Sequence, residues 1–131
     1  MKKIFIMLAA GCAAALIAGC SDVKERKTVD PNREISAIAE EVKSLDAAGL
    51  QEMIQAYDEA IVACSKKIDA MQKELNKVKV VDINNAEANG YRAEQEAARV
   101  TSQKLTEARE LYQKALAALE LKASAIANPL N

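Results

Sequence analysis

The feature that most restricts the fold of this chain is a row of apolar residues spaced alternately four and three positions apart. An α-helix turns once in about 3.6 residues, so this spacing places the whole row along one narrow side of a helix. Such a side is typical of a coiled coil or a helical hairpin, where it packs against another helix. The row predicts a long helix over about residues 47–79, and its members are Leu50, Ile54, Tyr57, Ile61, Cys64, Ile68, Met71, Leu75 and Val78.

A second long helix is predicted over about residues 86–127, after a short link that interrupts the period. The link contains two β-branched valines and a pair of asparagines, and we expect Asp82 or Asn84 to cap the helix that follows. Two long helices joined by a short link fold back on each other antiparallel. The apolar row of the second helix is poorer, because Thr101 and Lys122 interrupt it, and it consists of Tyr91, Ala98, Leu105, Ala108, Tyr112, Ala115, Leu119 and Ile126.

A shorter helix is predicted over about residues 33–45, ahead of the hairpin. Its apolar residues share one side and are Ile35, Ile38, Val42 and Leu45. The apolar row starts again one position late at Leu50, which indicates a break near residues 44–46, with Asp46 placed to cap the next helix. A seam between two helices buries few side chains, so we expect the short helix to pack on the hairpin and hairpins to associate. The predicted fold is all-α, with a helical domain over residues 33–128 made of a short N-terminal helix plus a long antiparallel hairpin.

The composition argues against several classes of fold and function. Four glycines and two prolines are too few for the many turns of a β-sandwich or a β-barrel. A net charge of −1 and 3% aromatic residues argue against nucleic-acid binding, which needs a basic surface and stacking aromatics. Without histidine, serine and cysteine triads and most zinc sites lack their usual base or ligand. We expect no enzyme activity, no catalytic or metal site, no small-molecule substrate and no cofactor.

Cys64 allows two interpretations. In an oxidising compartment its thiol could form an intermolecular disulfide. On the predicted seam it also serves as a small apolar residue that fills the space between two helices. The second interpretation is favoured, since every other position of that row is apolar.

The first part of the chain has the organisation of an export signal. Lys2 and Lys3 supply a positive start, residues 4–17 form an uncharged and mostly apolar run, and a polar stretch follows Cys20. At roughly 14 residues, the run has the length found in signal peptides and is shorter than the roughly 20 residues that span a bilayer. We therefore predict a signal peptide over residues 1–19.

The end of that segment, Leu16-Ile17-Ala18-Gly19-Cys20, resembles the lipobox of bacterial lipoprotein precursors. The resemblance implies that Ile17, Ala18 and Gly19 are recognised by the lipoprotein signal peptidase. It also implies that the thiol of Cys20 is alkylated by a diacylglyceryl group and that Cys20 becomes the first residue of the mature protein. Cys12 also follows a glycine, but cleavage there would leave a very short apolar run before the cut and an apolar stretch after it.

The residues after Cys20 indicate where such a lipoprotein lies. Residues 20–32 are charged and lack a periodic apolar pattern, which is typical of a flexible tether. In lipoproteins of diderm bacteria, an aspartate directly after the cysteine marks retention in the inner membrane. This chain has Ser21 at that position and Asp22 one place later. The resemblance therefore implies an outer-membrane lipoprotein that faces the periplasm.

Three classes of function compete. The first is a structural or interaction lipoprotein of the cell envelope, with the membrane as one partner and a protein or a second copy, bound through the helical seam, as the other. In anchor and helicity the chain resembles the murein lipoproteins, but its helix doubles back. It also has Pro129-Leu130-Asn131 where those proteins carry the lysine joined to peptidoglycan.

The second class is an accessory subunit of an envelope transport or secretion complex, since coiled-coil hairpins occur in efflux adaptors. An enzyme is the third class, and no constellation of residues favours it.

Overall fold

The computed structural model describes residues 27–128. Within that range the chain folds into three α-helices and one short 3₁₀ turn and contains no β-strand. Helix α1 spans Ile35–Glu41, α2 spans Ala47–Lys77 and α3 spans Ala86–Ala127, with the 3₁₀ turn at Val80–Asp82 between the last two. The prediction of an all-α fold with a long helical hairpin is confirmed.

Side-chain caps fix where the two long helices begin. The carboxylate of Asp46 accepts a hydrogen bond of 2.7 Å from the backbone N–H three residues later, which satisfies an amide that has no partner within α2. The side-chain oxygen of Asn85 accepts the equivalent bond of 2.8 Å in α3. The predicted cap at Asp46 is confirmed. The expected α3 cap at Asp82 or Asn84 is wrong, because the turn at Val80–Asp82 brings Asn85 to the start of the helix.

Polar contacts between α2 and α3 show that these helices run antiparallel. Near the turn, the side-chain amide of Gln95 donates a hydrogen bond of 3.1 Å to the side-chain oxygen of Gln72. Farther from the turn, Arg109 pairs with Asp58 at 2.5 Å. Residue numbers therefore rise along α3 while they fall along α2. The 31 residues of α2 measure about 46 Å and the 42 residues of α3 about 63 Å, so α3 extends past the start of α2.

Helix α1 lies against α3 beside the start of the hairpin. Its Ile38 is fully buried, and Val42, which directly follows the helix, packs against the same core. The helix is shorter than the predicted range of 33–45, because hydrogen bonds of the i→i+3 type tighten the chain into a turn after Glu41. Ile35, predicted on the buried side, is 44% exposed, because it borders an open groove.

Residues 27–34 lie against the hairpin. Lys27 pairs with Glu52 of α2 at 3.4 Å, and Val29 packs against the core. A turn then reverses the chain into α1. Most of this segment belongs to the flexible tether predicted over residues 20–32. The described part of that tether is instead packed on the hairpin, because it carries an apolar contact and an ion pair of its own.

The hairpin has a base and a distal half that differ in thickness. We call residues 47–61 and 102–116 the base, because residues 27–46 cover them as a third layer, and residues 62–101 the distal half. The core of the base contains most of the large buried side chains and comprises Ile38, Leu50, Met53, Tyr57, Leu105, Ala108 and Tyr112, and Cys64 at its border belongs to the same cluster. The other buried residues of the distal half are small and comprise Ala88 and Ala98. Two helices without a third layer leave their larger side chains at the edge of the contact.

Candidate functional site

The N-terminal predictions fall outside the residues that the structure describes. They concern Cys20, the expected site of lipidation, and Ile17, Ala18 and Gly19, expected to be recognised by the signal peptidase. Among the described residues, no helix combines the length and the apolar character needed to cross a membrane. The same residues contain no cluster of three or more acidic, cysteine or histidine side chains that could hold a metal ion.

The predicted seam of α2 packs against α3 and is buried most deeply toward the base. Leu50, Tyr57 and Cys64 are at most 2% exposed. The other six seam residues are half-buried, and they are Ile54, Ile61, Ile68, Met71, Leu75 and Val78. Because α3 of the same chain occupies this seam, a second copy would have to displace α3 in order to pair through it.

Two buried residues lie outside the predicted seams, and two residues predicted on a seam are exposed. Met53 is buried because it belongs to the cluster that includes Ile38 of α1, and its spacing of three from Leu50 was the available signal. Ala88 is also fully buried, at the start of α3. Leu119 and Ile126, predicted on the seam of α3, are 36% and 80% exposed, because Leu119 lies level with the first turn of α2 and Ile126 lies beyond it.

Two tyrosines meet where α2 and α3 approach the chain that precedes α1. The ring centroids of Tyr57 and Tyr112 are 5.4 Å apart with planes tilted by 35°, an arrangement that aromatic pairs favour. Arg33 donates a hydrogen bond of 3.3 Å to the hydroxyl of Tyr112, which in turn donates one of 3.4 Å to Glu41. Arg33 also forms an ion pair with Glu41. We call these four residues the tyrosine junction, and it fastens the covering layer to both long helices.

Burial controls the ionisation of the tyrosine junction. Burial raises the pKa of Tyr112 far above its ordinary value, and the negative charges of an ionised Tyr57 and of Glu41 raise it further. The pKa of Tyr57 is also raised, chiefly by burial. The hydrogen bond with Glu41 is the main cause that raises the pKa of Arg33. At neutral pH both hydroxyls therefore stay protonated, and Arg33 stays charged, so the junction serves as a fixed set of hydrogen bonds.

A shallow groove of about 260 Å³ lies beside the tyrosine junction, between the segment that precedes α1 and helix α3. Its charged lining consists of Asp30, Arg33, Glu34, Lys104 and Glu107. The ammonium of Lys104 donates a hydrogen bond of 3.4 Å to the side chain of Asn32. Because two cations face three acids, the groove has no strong preference for an anionic or a cationic ligand.

The turn between α2 and α3 presents apolar side chains to solvent. Val80 and Val81 are 84% and 88% exposed, and Ile83 is 46% exposed. Single exposed apolar residues are common on proteins, but three of them within four positions at the end of a rod form a patch. We call residues 79–85 the hairpin tip. The tip lies at the opposite end of the hairpin from Lys27, where the described chain begins.

The last turns of α3 form a second exposed apolar surface. Residues 121–127 extend beyond the start of α2, which lies level with about residue 120, and all of residues 117–127 are exposed. Leu121 and Ile126 are 72% and 80% exposed. The charged residues in this stretch are Glu120 and Lys122. We call residues 117–127 the apolar end of α3.

The tip and the apolar end thus lie at opposite ends of the hairpin. No protein-family model, curated protein or solved structure matches the chain. The exposed apolar surfaces at the two ends of the hairpin are the candidate sites of interaction.

Proposed function

We propose that the chain is a non-catalytic lipoprotein of the bacterial outer membrane, anchored through Cys20, that faces the periplasm and presents a helical hairpin to a protein partner. Two features of the sequence support the anchor, the signal-like residues 1–19 and the lipobox-like segment that ends at Cys20. The observation that carries the interaction is the exposed apolar patch at the hairpin tip. The covalent lipid on Cys20 is the one non-protein group in this proposal.

In the proposed arrangement, the anchor and the tip would lie at different ends of the hairpin. Lys27 is fixed at the base through its ion pair with Glu52. An anchor at Cys20, seven residues earlier in the chain, would keep the base near the bilayer. The hairpin tip would then be the part of the molecule farthest from the anchor, since α2 measures about 46 Å.

Burial of the apolar side chains of the tip would favour the binding of a partner that covers them. Full burial of an exposed valine or isoleucine stabilises a complex by about 1.5–3 kcal/mol. Val80 and Val81 have nearly their whole side chains available for such a contact. The apolar side chains of the tip are available to a partner, whereas the seam itself is occupied by α3.

The anchor is tested by labelling the expressed full-length chain with a radioactive fatty acid. We expect Cys20→Ala to abolish the label and to leave a precursor-sized protein. Cys12→Ala is the matched control, because it changes the other cysteine that follows a glycine, and it should keep the label. Label that persists in Cys20→Ala, or disappears in Cys12→Ala, would contradict the assignment.

The tip is tested by placing a photo-crosslinking residue at Val81 in the full-length protein in intact cells. Val100 is the matched control, because it is an exposed valine at 45% in the distal half of α3. We expect a discrete crosslinked product from position 81 and none from position 100. A product that contains a transport or secretion protein would favour the accessory-subunit alternative. The absence of any product from position 81 would count against a tip-bound partner.

A further inference from the structure

The apolar end of α3 is apolar on opposite sides of the helix. Successive residues of an α-helix lie about 100° apart, so Leu119 and Ile126 share one side and Leu121 lies on the opposite side. All three side chains are exposed, at 36%, 80% and 72% in that order. Alanines occupy five of the remaining positions between residues 117 and 127. A helix that packs against one neighbour carries its large apolar residues on one side, whereas here they lie on two opposite sides, with Glu120 and Lys122 between them.

A second copy of the chain does not cover two opposite sides of this helix. One helix packed against the apolar end would cover either the side of Leu119 and Ile126 or the side of Leu121. Stable protein interfaces also bury at least about 1,000 Å² in total, and a stretch of three turns with three large apolar side chains offers less than that. A lipid surface covers every side of a helix that dips into it, so it fits the distribution of these residues.

The contacts of the base show how far α3 extends. Asp58 pairs with Arg109, and Glu52 precedes Asp58 by six residues, so Glu52 lies about level with residue 115 of the antiparallel α3. The helix continues to Ala127, about 18 Å farther along its axis. Lys27 lies level with Glu52 because of their ion pair. The apolar end therefore projects beyond the point where the described chain begins.

The chain length between the anchor and Lys27 sets the distance to the bilayer. Lys27 follows Cys20 by seven positions, and a fully extended chain over seven positions spans at most about 25 Å. An anchored protein thus has the bilayer surface within about 25 Å of Lys27, whereas α3 projects about 18 Å in the direction away from the tip. An anchor at Cys20 would therefore lie nearer to the apolar end than to the hairpin tip.

We propose that the apolar end of α3 inserts shallowly into the surface of the same bilayer that holds the lipid on Cys20. This inference rests on the proposed lipidation. Leu119, Leu121 and Ile126 would lie at the boundary between headgroups and acyl chains, where short amphipathic segments bind. Lys122 is long enough to extend its ammonium to the lipid phosphates. Contact at the anchor and at α3 would limit the tilt of the hairpin and direct the tip away from the membrane.

Tryptophan fluorescence of the lipidated full-length protein tests this proposal. The chain contains no tryptophan, so a single introduced one reports on its own position. Leu121→Trp and Ile126→Trp probe opposite sides of the apolar end, and Val100→Trp on the same helix is the control. Each variant is reconstituted into vesicles of phosphatidylethanolamine and phosphatidylglycerol, with and without lipids brominated near the top of the acyl chain. The fatty-acid label on Cys20 is measured on the same samples.

We expect brominated lipid to remove most of the fluorescence at positions 121 and 126 and to leave position 100 unchanged. Labelled protein without quenching at 121 and 126 would overturn the membrane contact and leave the anchor intact. Quenching at one of these two positions alone would overturn it too, because the helix would then be covered on one side. Missing label would overturn the anchor, and with it the inference. Circular dichroism checks that each variant keeps its helices.

Discussion

The base and the distal half of the hairpin are built from the same two helices, yet they bury different kinds of residue. In the base, Tyr57 and Tyr112 are almost completely buried because residues 27–46 add a third layer. In the distal half, Ile68 and Leu75 stay half-buried although they belong to the same uninterrupted seam. An uninterrupted seam is therefore not enough by itself to bury every large side chain, and the most deeply buried large side chains lie where a third element covers the two helices.

The same difference predicts that the two halves of the hairpin contribute unequally to stability. Because the base has large buried side chains and a network of hydrogen bonds, we expect it to be the more stable part of the fold. The distal half relies on close approach of small residues, such as Ala88 and Ala98, and on Gln95, which bonds across to α2. Four comparisons of matched variants test whether stability is concentrated in the base.

The largest difference is expected between Leu50→Ala and Leu75→Ala, which remove the same atoms from the same helix. Leu50 in the base is fully buried, and Leu75 in the distal half is half-buried. Loss of a buried leucine side chain leaves a cavity and costs about 2–5 kcal/mol, and a half-buried one costs about 1–2 kcal/mol. Urea unfolding followed by circular dichroism measures the loss in the free energy of unfolding for each variant. Equal losses would contradict the proposed concentration of stability in the base.

A smaller difference is expected between Arg33→Met and Lys77→Met. Arg33 pairs with Glu41 and donates to Tyr112 in a partly buried setting, so its replacement should lower the free energy of unfolding by about 1–2 kcal/mol. Lys77 pairs with Glu74 on the surface of the distal half, where such pairs contribute about 0.5 kcal/mol or less. The same unfolding titration separates the two. If Lys77→Met lowers the free energy of unfolding as much as Arg33→Met does, the tyrosine junction contributes no more to stability than a surface ion pair.

Alkaline pH should weaken the base through Tyr57 and Tyr112. Tyrosines in the unfolded chain ionise near pH 10, whereas the folded state raises the pKa of both residues. Their contribution to stability is therefore complete below about pH 10 and is lost as the pH rises through the raised pKa values. We expect the melting temperature of the native protein to fall more steeply above pH 10 than that of Tyr112→Phe. Tyr91→Phe, in the distal half, is the control, and the fall of its melting temperature with pH should be closer to that of the native protein.

The helices and the hairpin were predictable because their signals are local. Alternating spacings of four and three over the row from Leu50 to Val78 require nothing beyond helix geometry. The cap at Asp46 likewise depends on one side chain and an amide three residues away. The end of α1 was less predictable, because whether the chain continues as helix after Glu41 depends on its packing against α3.

The tyrosine junction could not be predicted, because it depends on contacts between distant parts of the chain. Arg33 and Tyr112 are 79 residues apart, and no periodicity connects them. The sequence of residues 27–32 resembles a tether, and its position on the hairpin is decided by the core that Val29 joins. The apolar end of α3 was within reach of prediction, since two antiparallel helices of unequal length must leave part of the longer one uncovered.

The smallest difference in the free energy of unfolding is expected between two glycine-to-alanine substitutions. One is at Gly49 in the base part of α2, and the other is at Gly90 in the distal part of α3. Alanine in a helix is more favourable than glycine by about 0.5–1 kcal/mol, because glycine loses more backbone freedom on folding. A Cβ at Gly90 would meet no atom within 4 Å, so Gly90→Ala should raise the free energy of unfolding by about 0.5–1 kcal/mol. A Cβ at Gly49 would lie 3.1 Å from the cap oxygen of Asp46 and 3.2 Å from the side chain of Leu45, so the neighbours must shift. Gly49→Ala should therefore stabilise the protein less than Gly90→Ala, or destabilise it, in the same urea titration. Equal stabilisation by the two changes would show that the start of α2 has room to spare, and that the tight packing of the base does not extend to its cap.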